Sequence, residues 1–245
     1  MEENLEQLKK LIQKSGRILV FTGAGISTGS GIPDYRGPDG IWTKREPVLF
    51  QEFLDSEEKR KEYWQYKADT FEAFKAARPN DAHKALVRLE KLGKLQAVVT
   101  QNIDNLHRAA GTSNGKLIEL HGTALCAECV ACYDWTPMAA ALGRFLAGGK
   151  PPKCSCGGYL KPAVVMFGES LPQAELGLAF KAAKNCDLVI SIGSTLSVEP
   201  AASVPLSARA DGKPYAIINR GPTAHDRAAV VKIDADAVQV LPELI

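Results

Sequence analysis

Ile18-Leu19-Val20-Phe21-Thr22-Gly23-Ala24-Gly25-Ile26-Ser27 is the stretch whose reading decides the fold of this chain. Its first half is a short apolar, partly β-branched run of the kind buried between two layers. The glycines behind it let a chain leaving a sheet come close to a phosphate. Open α/β sheets bind ligands at that edge, outside the carboxyl ends of their strands. The dinucleotide fingerprint is incomplete, because Gly23 and Gly25 fill its first two glycine positions and Thr28 stands at the third. Thr28-Gly29-Ser30-Gly31-Ile32-Pro33-Asp34 favours turns over helix, so the segment from Thr28 to Gly40 reads as a mobile loop over a ligand. No acidic residue closes a second strand about 20 residues on, so the ordinary dehydrogenase scheme is not expected.

Outward from that stretch, apolar runs alternate with helical patterns. Leu5, Leu8, Leu11 and Ile12 share one face of an opening helix, and Leu86, Leu89 and Leu92 mark another ahead of a strand over Leu95 to Thr100. Further strands are expected over Lys116 to Leu120, Ala163 to Phe167, Asp187 to Ile192, Tyr215 to Ile218 and Val230 to Ile233. This βα rhythm predicts an α/β fold with a mostly parallel sheet covered by helices. Two stretches break it: residues 37–75, charged and aromatic, and residues 124–161, which hold the paired cysteines. Both read as insertions that pack together as a small lobe. The large lobe then comprises residues 1–36, 76–123 and 162–245.

With 245 residues, 45% of them hydrophobic, the chain can bury a sizeable core. A net charge of +2 offers no electrostatic case for nucleic acid, and no apolar run approaches the length of a membrane span. An intracellular, cytoplasmic protein is therefore expected, and its oligomeric state is not legible. Without a signal sequence the six cysteines read as metal ligands or buried thiols. Cys126-Ala-Glu-Cys129-Val-Ala-Cys132 precedes Cys154-Ser-Cys156-Gly157-Gly158, a spacing that suits a structural zinc site of four thiolates. Three cysteines compete for the first pair. Cys186, beside an apolar strand, reads as core.

The remaining clusters are Gly31-Ile32-Pro33-Asp34-Tyr35-Arg36-Gly37, Thr100-Gln101-Asn102-Ile103-Asp104, His121-Gly122, Phe167-Gly168-Glu169 and Gly193-Ser194-Thr195-Leu196-Ser197-Val198. Taken in order with Gly23 to Ser27 and the cysteine pairs, they resemble the sirtuins, the NAD-dependent protein lysine deacylases. The resemblance spans nearly the whole chain. Departures are Tyr35 where Phe is usual, Gly193-Ser-Thr where Gly-Thr-Ser is usual, and the Cys154-Ser-Cys156 pair. The wording of Ser27 to Ser30 and of Gly37-Pro38-Asp39-Gly40-Ile41-Trp42 is similar to a branch that often acts on long acyl chains or transfers ADP-ribose.

The resemblance implies a large Rossmann-like lobe, a small zinc-binding lobe, and a cleft between them for NAD and an acyl-lysine peptide. It assigns zinc to Cys129, Cys132, Cys154 and Cys156, with Cys126 in reserve. NAD contacts fall on Gly23, Ala24, Gly25, Ile26, Ser27, Asp34, Tyr35, Arg36, Gln101, Asn102, Ile103, Asp104, Gly193, Ser194, Asn219, Arg220 and Ala235. Asp104 looks like the residue that holds the nicotinamide carboxamide, and Asn102 with Gln101 like those that position the ribose. His121 is the general base, since imidazole suits proton removal near neutral pH. Val165, Phe167, Gly168, Glu169, Ser197 and Val198 line two edges that sandwich an extended peptide. Glu62-Tyr63-Trp64-Gln65-Tyr66-Lys67 matches the helix lining the acyl tunnel, where a Tyr and an Arg three residues later select acidic acyl groups. Trp64 and Lys67 stand there, so acetyl-lysine and longer apolar acyl-lysines are expected ahead of succinyl-lysine. Rival readings are an NAD hydrolase or mono-ADP-ribosyltransferase, and a non-catalytic NAD-binding module.

Overall fold

The computed structural model describes residues 1–37 and 40–245. Pro38 and Asp39, which the sequence reading placed in the glycine-rich loop, lie outside the described residues. In chain order the elements are α1 (Glu2–Lys14), β1 (Ile18–Thr22), α2 (Phe50–Asp55), α3 (Glu57–Ala76), α4 (Asp81–Lys91), β2 (Leu95–Thr100), α5 (Leu106–Ala110), β3 (Leu117–Glu119) and β4 (Gly122–Cys129). They continue with β5 (Trp135–Pro137), α6 (Met138–Gly148), β6 (Leu160–Val164), α7 (Gln173–Asn185), β7 (Leu188–Ile192), α8 (Ser203–Ala210), β8 (Tyr215–Ile218), β9 (Val231–Ile233) and α9 (Ala237–Leu244). Short 3-10 turns at Ala24–Ile26 and Thr28–Ser30 follow β1.

Six strands form a sheet in the order β3-β2-β1-β7-β8-β9, every neighbour parallel. Alternate residues of each strand face opposite ways, so one run of apolar residues builds two cores. Ile18, Val20, Val98, Ile190, Ile192 and Ile218 join Leu8 and Ile12 of α1, Leu86 and Leu89 of α4 and Leu241 of α9. Leu19, Phe21, Val99, Val189, Tyr215 and Ile217 join Ala179 and Ala183 of α7 and Val204 of α8. Burial on both faces explains why β1, β7 and β8 contain no exposed residue. Cys186 lies in the second core, as its apolar surroundings suggested.

A second, three-stranded antiparallel sheet, β5-β4-β6, has its own core. Val48, Phe53 and Trp64 pack there with Ala127, Met138, Phe145 and Leu160, so residues from both irregular stretches meet. The expected strand over Ala163 to Phe167 needs correction. It is β6, ending at Val164, and it pairs antiparallel with β4 instead of joining the parallel sheet. An apolar run fits either sheet equally, and only its partner decides. Leu92 also departs from expectation: it follows the last residue of α4, is 63% exposed, and precedes a turn at Gly93 with φ of 70°.

Candidate active site

From β1 the strand order runs outward through β2 and β3 on one side and through β7, β8 and β9 on the other, so the sheet reverses between β1 and β7. A crevice for ligands opens at such a switch point. There the Gly23 amide donates to the Ile192 carbonyl at 3.0 Å and the Gly25 amide to the Gly193 carbonyl at 2.8 Å. A Cβ on Gly25 would sit 2.7 Å from Gly193 Cα, and Gly193 itself has φ of 61°. These glycines thus serve a backbone contact between two loops, a demand separate from any phosphate.

Beside them lies a buried polar cluster. The Ser27 hydroxyl donates to Asp104 Oδ2 at 2.7 Å and accepts from Asn102 Nδ2 at 3.2 Å. Asp104 Oδ1 accepts the Leu106 amide at 2.8 Å, closing the turn that leads into α5. Burial pushes the Asp104 carboxyl up, against the lowering effect of the Leu106 and Ser27 donors. Gln101 Nε2 donates to Ser194 Oγ at 2.9 Å, bridging the loops after β2 and β7. The Ile103 carbonyl accepts the Ala124 amide at 2.9 Å and so ties this loop to β4. Ala24 is half-buried, while Ile26 is buried and its carbonyl accepts from Asn80 Nδ2.

His121 stands between β3 and β4. Its Nδ1 lies 2.9 Å from the Gln101 carbonyl. A carbonyl only accepts, so Nδ1 carries the proton and Nε2 keeps its lone pair for chemistry. Burial pushes the His121 imidazole below its ordinary pKa, with the Gln101 contact opposing. The His121 carbonyl accepts the Val165 amide at 3.0 Å, which sets the segment after β6 beside the base.

That segment is anchored on all sides. Glu169 accepts the Met166 amide at 2.9 Å and pairs with Lys161 Nζ at 3.2 Å, and Lys161 Nζ also donates to the Val164 carbonyl at 2.9 Å. Glu169, assigned to substrate by resemblance, therefore has structural partners, and sequence reasoning missed the buried Lys161. Phe167 meets the edge of Trp42 at 4.9 Å, and its carbonyl accepts the Phe50 amide at 2.8 Å. Gly168 has φ of 89°. The facing segment bends at Leu196, with φ of 56°, and leaves Ser197 exposed and Val198 half-buried.

Tyr35 packs on Trp42 at 5.0 Å, and the Arg36 guanidinium lies 4.9 Å from the same ring. Asp34 Oδ1 accepts the Gly37 amide at 2.7 Å, closing a local turn. Beyond β8 and β9, Asn219 Nδ2 donates to the Arg220 carbonyl at 2.8 Å, Arg220 pairs with Asp236 at 2.5 Å, and Ala235 is half-buried. Trp64, which the resemblance places on the acyl-tunnel helix, is fully buried, with Nε1 donating to the Leu160 carbonyl at 3.1 Å. Helical spacing puts Tyr63, Lys67 and Thr70 on another face of α3. There Lys67 Nζ lies 5.4 Å from the rings of both Tyr63 and Tyr66. Burial, then Arg45, pushes its pKa down to about 8.

Cys129, Cys132, Cys154 and Cys156 bring their sulfurs within 4.8 Å of one another. Cys129 and Cys156 are 3.5 Å apart, Cys132 and Cys154 3.7 Å. Zinc–sulfur bonds of about 2.3 Å in a tetrahedron require sulfurs about 3.8 Å apart, so the set fits zinc. Amides of Ala131 and Gly158 donate to Cys129 and Cys156 at 3.4 Å, as thiolates require. Cys126 lies outside this group, opposite Pro137 on β5.

The Sir2 family model matches residues 23–200. NAD-dependent protein deacetylase 1 of Bradyrhizobium diazoefficiens is 42% identical over 98% of this chain and 95% of its own length. A Sir2 structure with a p53 peptide and NAD+ superposes with a TM-score of 0.89 at 34% identity, covering 98% of this chain and 96% of that one. Another, with a deacetylated p53 peptide and 3'-O-acetyl ADP ribose, gives 0.89 at 35% identity over 97% and 95%. The strand order, the polar cluster at the switch point, the four-cysteine group and these likenesses lead to one conclusion: the chain belongs to the Sir2 family.

Proposed function

We propose that the protein is an NAD-dependent protein lysine deacylase that transfers the acyl group to ADP-ribose, releasing nicotinamide and O-acyl-ADP-ribose. The observation that carries this reading is His121, whose protonated Nδ1 is held by Gln101 while Nε2 remains free beside the Val165 edge. When bound, NAD would supply an anomeric carbon that the acyl oxygen could capture as nicotinamide departs. Asp104 holds the carboxamide, and Asn102 and Gln101 fix the ribose. His121 Nε2 would then take the proton from a ribose hydroxyl, whose oxygen attacks the acyl carbon; the lysine amine leaves and water adds to that carbon, giving O-acyl-ADP-ribose. Gly193, Ser194, Asn219, Arg220 and Ala235 serve the adenosine half.

The extended peptide lies between Val165 to Glu169 and Ser197 to Val198, pairing backbone to backbone and so tolerating many sequences. The lobes drawn from the sequence, residues 37–75 and 124–161 against the remainder, enclose the cleft in this reading. Cys129, Cys132, Cys154 and Cys156 hold one zinc ion per chain, which closes its tetrahedron and acts structurally. Among the described residues no helix is long and apolar enough to cross a membrane. A reducing, cytoplasmic setting suits the thiolate cluster.

Incubation with NAD and an acetyl-lysine peptide, with products identified by mass, tests the reading. O-acetyl-ADP-ribose is the expected product. ADP-ribose alone or attached to protein would move the assignment to a hydrolase or transferase, and unchanged NAD to a binding module.

A further inference from the structure

Behind the crevice, two buried sets of hydrogen bonds that the assigned roles leave unused meet where two histidine rings pack together. The Asn102 amide donates to Thr100 Oγ1 at 3.0 Å, which locks the turn leaving β2. Thr22 Oγ1 donates to the same Thr100 oxygen at 2.8 Å and lies 2.9 Å from His107 Nε2. Since the Thr22 proton goes to Thr100, the contact with His107 requires an Nε2–H donor. His107 is thus a neutral imidazole with a bare Nδ1, and that atom has no partner among the described residues.

His83 packs against His107 with ring centroids 4.8 Å apart. Its Nδ1 lies 3.0 Å from Asn80 Oδ1, an acceptor, so His83 carries its proton there and its Nε2 is bare. Asn80 Nδ2 in turn donates to the Ile26 carbonyl at 2.8 Å and Ser30 Oγ at 3.0 Å. Both rings are fully or almost fully buried. A run of buried contacts therefore leads from the glycine-rich loop after β1, through two imidazoles packed at an interplanar angle of 59°, to the turn that carries Asn102 and Asp104.

We infer that His107, braced by His83, is a positioning residue for Asn102, acting through Thr22 and Thr100 to hold the two ligand-facing loops in register. The inference rests on the deacylase reading, in which Asn102 fixes the ribose. Misplacing a positioning group by about an ångström costs up to roughly 100-fold in rate. Replacing His107 by Leu keeps the apolar volume and deletes the donor, whereas Gln places an N–H near the original Nε2.

The test measures kcat and the KM for NAD and for peptide in wild type, His107→Leu, His107→Gln and Thr22→Val, together with thermal unfolding. His107→Leu and Thr22→Val should lose about 10- to 100-fold in kcat with peptide KM unchanged, and His107→Gln should recover most of the loss. Thr22→Val decides the matter should His107→Leu fail to fold. Wild-type kcat in folded Thr22→Val, or equal loss in the Leu and Gln variants, overturns the inference. A wild-type protein that leaves NAD and acetyl-peptide unchanged instead overturns the deacylase reading, so the two failures are distinguishable.

Discussion

The two sheets of this molecule are held together by different means. The six-stranded sheet buries both faces against helices, and its apolar clusters extend from α1 to α9. Its stability therefore comes from hydrophobic burial, at roughly 25 cal/mol per Å² of apolar surface. The three-stranded sheet has a smaller core on one face, leaves Leu125, Tyr133 and Trp135 exposed, and carries the four cysteines at one end. A sheet that small needs a staple, and the thiolate group supplies one. The contrast bears on where the neutral histidines sit: His83 and His107 are buried against the large sheet, where extensive apolar burial offsets their desolvation.

Removing the staple should have the largest effect. Structural zinc contributes on the order of 10 kcal/mol or more to small folds. Cys129→Ala with Cys132→Ala should lower bound zinc from one per chain to none and abolish deacylation. Hydrogen exchange should show lost protection in β4 to β6 and retained protection in β1, β2 and β7. Full metal retention in the double variant would contradict the ligand assignment.

Acid should instead weaken the large sheet. Burial pushes His83 from 6.5 down to about 4 and His107 well below 6.5, the neighbouring His83 adding to the effect on His107. Between these values the unfolded chain binds more protons than the folded one, so stability rises with pH. The contribution is complete above 6.5 and is lost as pH falls toward 4, by roughly 3 kcal/mol for His83. Denaturant unfolding from pH 4.5 to 7.5 checks this, and a flat profile would show that the pair is not held neutral.

How far the sequence reached also differs between the sheets. β1, β2, β7, β8 and β9 match the expected strands to within a residue; in β1, β7 and β8 burial on both faces writes itself as nearly continuous apolar runs, whereas β2 and β9 are short and broken by Gln96 and Lys232. β4 was illegible, since Gly122-Thr-Ala-Leu-Cys-Ala-Glu-Cys129 mixes small residues with metal ligands and carries no clean alternation. The His121 and Asp104 clusters could be read from local motifs. Thr22, Thr100 and His107 could not, because their contacts join residues 78 to 85 positions apart. The burial of Trp64 could not be read either, because residue spacing fixes a helix face only after its neighbours are known.

Acyl preference sharpens the comparison at the junction of the sheets. With Trp64 in the core, Lys67 faces Tyr63 and Tyr66, and its low pKa leaves it only partly charged near pH 8. A single ammonium lacks the fork that grips a carboxylate. Catalytic efficiency on acetyl- and myristoyl-lysine versions of one peptide should exceed that on the succinyl version by about 10-fold or more. Preference for succinyl would mean that Lys67 acts as its receptor.

The smallest effect belongs to the far edge of the large sheet. Arg220 is 69% exposed and pairs with Asp236, which also caps α9, so Arg220→Ala should change the KM for NAD by no more than about 3-fold and leave unfolding almost unaltered. A 100-fold loss would make that loop part of the binding core.

His121 tests the central claim most directly. In His121→Ala, NAD should still bind and nicotinamide should still exchange in the presence of acetyl-peptide, because the base acts after that bond opens. Formation of O-acetyl-ADP-ribose, followed by mass, should fall about 100-fold or more. Wild-type formation of that product in the variant would contradict the account, since no other group described at the crevice holds a free imidazole beside the peptide edge.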